Sequence, residues 1–189
     1  GAYNQTNGKD PAVNKVWCSG AETHGGDLQK QYADGNYAEV WFKSASIEIG
    51  EDAISNAGYF EANDGLSQKI VYPSEVIPFM DKFKMLMGDG TNVEDLLDFA
   101  HQDFFYTVID GNRRWVVYKA PNAGVTSKNS SNTRTELHEK REWTPEQGGK
   151  LTGTCKVMHV STSGDARVAA SYSVVVGQIH SGEGHENEP

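Results

Sequence analysis

Cysteine and proline are scarce in this chain, at two and six of 189 residues. Cys18 and Cys155 are too few to staple a disulfide scaffold, and neither has the CxxC spacing of a zinc knuckle or a redox motif beside it. Low proline, together with 7 Phe, 8 Tyr and 4 Trp, argues against a disordered chain. No apolar run approaches the ~20 residues that cross a bilayer, and no basic-then-apolar leader stands among these residues, so no membrane role is expected. Positive charge is short as well. Seventeen basic side chains face 26 acidic ones, a net charge of −9, which counts against nucleic acid or an anionic membrane as a partner held by overall charge. The first residue is Gly1 rather than Met, which reads as a chain that is processed, excised or incomplete.

What is present is strand pattern. Apolar alternation bounded by Gly, Asn, Asp and Ser clusters predicts strands over Tyr37–Gly50, Phe104–Ile109, Trp115–Lys119, Thr133–His138, Lys150–Val160 and Val168–His180. In the first of these, Ala38, Val40 and Phe42 share one parity while Ala45, Ile47 and Ile49 take the other, so a bulge or bend is expected between them. Asp110-Gly111 reads as a hairpin turn. Two short helices are expected. One follows the helical spacing of Val76, Ile77, Phe79, Met80, Phe83 and Leu86, with Pro78 near its start and Gly88 after its end. The other opens on the capping-box pattern Thr91-Asn92-Val93-Glu94 and runs through Ala100. Residues 51–69 have no sustained period and read as a loop or linker. If Cys18 and Cys155 pair, they close a loop of more than a hundred residues, worth ~4–5 kcal/mol in the chain-entropy model. A structural disulfide and two separate thiols both remain open.

Strand parity turns two segments into polar rows. Arg134, Glu136 and His138 stand at i, i+2 and i+4, so they share one face while Thr135 and Leu137 take the other; Gln178 and His180 share a face in the same way. Taken alone, Arg134 and Glu136 read as an ordinary ion pair worth ~0–1 kcal/mol, and His180 as a strand-end histidine. His180, Glu183, His185 and Glu186 offer metal-ligand types in one loop, but their spacing matches no strong zinc motif, and no metal is expected.

Three segments together carry a resemblance. Ser130–Glu139, SSNTRTELHE, resembles the R-[ST]-E-[LV]-R motif of the alginate lyases of polysaccharide lyase family 7. Val174–Gly182, VVVGQIHSG, resembles their Q-[IV]-H motif. Gly1-Ala2-Tyr3-Asn4-Gln5 resembles the second half of their Y-F-K-x-G-x-Y-N-Q motif, and the closely related family 18 is an equally good label. Two departures stand out. The Y-N-Q element closes the domain in the family but opens it here, ahead of Val71–Phe79, which resembles the family's beginning. Residues 1–50 thus resemble the family's C-terminal part and 70–189 its N-terminal part, all within a single catalytic domain. Strands expected between the Q-I-H and Y-N-Q motifs are missing, as in a permuted order, a gap, or a companion chain or segment carrying the middle. His138 also replaces the family's usual Arg, exchanging a permanent cation for a switchable one.

The resemblance implies an all-β fold, a jelly-roll β-sandwich of two antiparallel sheets with one or two short helices and a groove on a concave face. It implies a lyase that cuts the 1,4-glycosidic bond of alginate or a related polyuronate by β-elimination, without metal or organic cofactor. Arg134, Gln178 and His180 would neutralise the uronate carboxylate and so stabilise the enolate-like intermediate. Tyr3 would be the acid to the leaving oxygen, with Tyr3 or His180 the base according to which epimer is bound. Glu136 would orient Arg134, and His138, Lys128 and Gln5 are substrate-contact candidates. A polymeric substrate implies secretion. Two other readings compete: a non-catalytic polyuronate-binding module on the same scaffold, and a sandwich-fold glycoside hydrolase, which would need two carboxylates flanking the bond. The net charge also conceals an asymmetry. Residues 112–141 hold seven basic and two acidic side chains, +5 against −14 for the remainder, and this basic stretch surrounds Arg134.

Overall fold

Strand β2 (Tyr37–Ile49) organises one of two sheets. The structure, a computed structural model, describes residues 2–4, 28–50, 52–53, 71–122, 124–125, 133–161 and 173–179. In chain order the other elements are β1 (Ala2–Asn4), α1 (28–33), β3 (Asp52–Ala53), α2 (Pro73–Val76), a 3-10 turn (Met80–Lys82), β4 (Phe83–Leu86), β5 (Asn92–Val93), β6 (Phe105–Asp110), β7 (Arg113–Pro121), β8 (Thr133–Glu139), β9 (Gly149–His159) and β10 (Val174–Val175). One sheet runs β10-β1-β8-β4-β5; the other runs β3-β2-β7-β6, with β9 also paired to β2. Every pairing is antiparallel. The chain is therefore mostly strand in two antiparallel sheets, a β-sandwich as expected.

The core lies between them. From the second sheet come Ala38, Val40, Phe105, Val116, Tyr118 and Ala120, and from the first Phe83 and Met85, all buried. Each such large apolar side chain contributes roughly 1.5–3 kcal/mol relative to leaving it in water. In β2 the apolar parity does change. Its register against β9 shifts between Phe42 and Ser44, and beyond that shift Ala45 and Ile47 pack on the core that Val40 and Phe42 served before it. The Asp110-Gly111 turn also forms: Asp110 pairs with Arg113, and Gly111 has a φ of 63°, open to glycine without strain.

Both expected helices give way. The chain from 73 to 86 holds one helical turn, one 3-10 turn and then β4. Pro78 disfavours helical geometry at Ile77, which is extended at φ −121° and ψ 94°, and the alternating burial of Phe83 and Met85 then takes over from the helical spacing. Gly88 is there for a close approach, since a Cβ would stand 2.5 Å from Pro121 Cδ. From 91 to 100 there is β5 followed by turns, because Val93 pairs with Met85. Asp95 accepts a bond from the Leu97 amide, a local turn that competes with helix. The helix that does form, α1, was not read from the sequence. Its signal is the i, i+4 pair of Leu28, buried, and Tyr32, packed on the core, with Gly35 past its end at φ 76°. Within the expected linker, Asp52–Ala53 pair with β2, and residues 54–69 lie outside the described residues.

Candidate functional site

The Arg134, Glu136 and His138 row forms on β8 as parity dictates. Thr135 turns the other way, its hydroxyl donating to the Lys119 carbonyl of the opposite sheet, and Leu137 packs on the core. Arg134 and Glu136 are both 8% exposed. Arg134 Nη1 lies 3.1 Å from Glu136 Oε2, and His138 Nε2 lies 3.0 Å from the same oxygen. One carboxylate oxygen thus holds both cation-type side chains. Burial alone would push Glu136 up; the contact with His138 and the charge of Arg134 outweigh it and hold the carboxyl below its ordinary range. Depletion of water makes this pair more than a surface contact. His138 is drawn to Glu136, which makes it a second clamp on that carboxylate.

Strand order assembles the rest. β1 lies between β10 and β8, with Tyr3 paired to Arg134 on one side and to Val175 on the other. Register position 3 thus stands directly beside Arg134 in the ladder. The three motif-bearing segments, distant in sequence, contribute adjacent strands of one sheet. The C-terminal segment departs from expectation. Of the strand read from Val168 to His180, the ladder covers only Val174–Val175, with 176–179 outside any strand. Val174 packs on the core, and Gln178 has the same parity, so an unbroken strand would turn Gln178 inward. Instead the ladder stops and Gln178 is exposed. His180, Lys128, Gln5, Cys18 and the His185 loop lie outside the described residues.

Cys155 sits exposed on β9; its possible disulfide partner, Cys18, is outside the described residues. The basic stretch around Arg134 does not collect on one face. Lys119 stands on the far side of the second sheet, 3.4 Å from Glu39 and 4.1 and 4.2 Å from the ring centres of Tyr32 and Tyr37. That caged ammonium is committed to structure. Tyr32, Tyr37, Tyr106 and Tyr118, all in or against that sheet, are pushed up, above all by burial, Tyr106 to about 12. They are poor proton acceptors at neutral pH. One site-face residue escaped the sequence reading: Lys84 of β4 pairs directly with His138. Its signal was present in the alternation of Phe83, Lys84, Met85 and Leu86, masked by the helical spacing of the same residues.

Comparison with known proteins agrees with the family resemblance. The sequence model described as alginate lyase matches residues 80–189, more than half of the chain. Among solved structures, the exolytic PL7 alginate lyase AlyA5 from Zobellia galactanivorans is 59% identical with a TM-score of 0.55, over 62% of this chain. The chain spans 38% of that structure's length. Among curated proteins no sequence matches.

Proposed function

This chain belongs to the alginate lyase family, polysaccharide lyase family 7, and on that premise we propose that it cleaves the 1,4-glycosidic bonds of alginate by β-elimination, leaving an unsaturated uronate at the new non-reducing end. The observation that carries this reading is the order β10-β1-β8, which sets register position 3 against Arg134.

The chemistry begins at a weakly acidic C5–H beside an ionised carboxylate. Arg134, with Gln178 and His180, donates to that carboxylate and lowers the energy of the dianionic intermediate more than that of the substrate. Glu136 holds the guanidinium in place from a site with little water, where such contacts are strongest. The base, Tyr3 or His180 according to which face of the sugar carries the hydrogen, takes the C5 proton. The released electron pair forms the C4–C5 double bond, the C4–O bond breaks, and Tyr3 protonates the leaving oxygen. The raised tyrosines of the opposite sheet are no competitors for the base role. Lys128 and Gln5 contact substrate beyond the reacting unit. The chain works as a single domain of permuted order, acting outside the cell, where the polymer is.

A further segment or companion chain completing the sandwich fits this reading. Leu151 and Val157 of β9 oppose the core-side residues Ile47 and Val40, yet are 47% and 51% exposed. The lyase reading is tested by ultraviolet absorbance. Alginate blocks incubated with the protein should give a steady rise from unsaturated ends. No rise on either mannuronate-rich or guluronate-rich blocks would overturn it in favour of a binding module, and saturated ends would point to hydrolysis.

A further inference from the structure

The polar row of β8 continues onto β4. Lys84 is the direct partner of His138 in the β4–β8 ladder, and the burial of Phe83 and Met85 on either side puts Lys84 on the face opposite the core. The nearest carboxylate of that row, Glu136, is already held by both Arg134 and His138. Among the described residues Lys84 has neither a hydrogen bond nor an ion pair, in a chain whose acidic groups outnumber its basic ones by 26 to 17. With no anion beside it on this face among the described residues, Lys84 is available to one from outside.

We infer that Lys84 binds the carboxylate of a second uronate unit, displaced along β8 from the unit held at Arg134. Positions 134 and 138 are four residues apart, ~13 Å along an extended strand. A uronate ring carries one carboxylate, so two cations so separated serve different rings of one oligomer. Lys84 therefore sets how the polymer is registered over the site without touching the reacting atoms. Leu86, two residues on and facing the same way, is opposite Glu136 and gives the stretch between the two cations an apolar floor.

This inference rests on the lyase reading, and the experiment separates the two. Uronate oligomers of increasing length are compared on the wild type, Lys84→Ala and Lys84→Arg, measuring steady-state cleavage and, independently, binding by calorimetry. Loss of one charge-assisted contact is expected to raise KM and Kd about tenfold, but only for oligomers long enough to reach both cations. The expected change in kcat is less than about twofold, Lys84→Arg should recover most of the loss, and added salt should shrink the difference. Equal weakening at every length, or no weakening at any, overturns the assignment. Should the wild type bind oligomers without cleaving them, the lyase reading falls while the length dependence of binding still decides the role of Lys84. Urea midpoints of the variants should match the wild type; a large drop would make Lys84 a structural residue and overturn the proposal.

Discussion

Strands β8 and β9 are written in similar language and end in different surroundings. Both alternate polar and apolar residues, TRTELHE in one and GKLTGTCKVMH in the other. In β8, flanked by β1 and β4, the first four residues are buried on both faces, including an arginine and a glutamate. In β9, paired only with β2 among the described residues, nine of eleven residues are exposed, on both faces. Alternation sets which residues share a face; neighbours on either side of the strand set what that face is worth. Arg134 and Glu136 on β8 are consequently dry and mutually held, whereas the two lysines of β9 meet solvent or its edge. Lys156, for instance, pairs with Asp110 and covers the Trp115 ring at 4.4 Å, a contact that protects a packed aromatic.

The sharpest way to break this contrast is at Arg134. Arg134→Ala should cut kcat/KM by ~10²–10³, and by leaving Glu136 with His138 alone it should cost about 3 kcal/mol of stability. Activity assays and urea denaturation read the two effects separately. A smaller effect should come from Glu136→Gln, and it has a pH signature. Because the folded state holds this carboxyl below its unfolded value, its ionised form contributes stability that is fully present above the ordinary carboxylate range and is lost as pH falls through the lowered value. The difference in urea midpoint between wild type and variant should therefore be largest near neutrality and shrink on acidification. The least effect is expected on β9. Lys150→Ala, exposed and paired with Glu48 on the face away from Leu151, should change stability by no more than about 0.5 kcal/mol. A loss as large as that at Arg134 would mean that β9 is as enclosed as β8 in solution.

The same contrast explains what could be read from the amino acids. Strand faces were legible wherever period two ran without competition, as in β7 and β8, and the parity change in β2 announced its own irregularity. The segment 76–86 misled because its apolar residues satisfy two periods at once; Pro78 and the pairing of β4 with β8 decide between them, and pairing is not a local property. At the site, Arg134, Glu136 and His138 were legible as a row. The oxygen shared between Arg134 and His138 was not, since it depends on burial. The position of Tyr3 required the motif resemblance, because nothing in a three-residue strand says which neighbours it joins. The pairing of Lys84 with His138 and the cage around Lys119 are products of register between distant strands, and composition had counted Lys119 in the basic stretch around Arg134.

The proposed lyase chemistry depends on Tyr3, the ladder partner of Arg134. It is tested most directly by Tyr3→Phe, following the absorbance of unsaturated ends on alginate alongside binding of the same polymer. The rise should fall at least a hundredfold while binding is retained within about twofold, as befits the loss of a proton donor. A Tyr3→Phe protein that cleaves at the wild-type rate would contradict it.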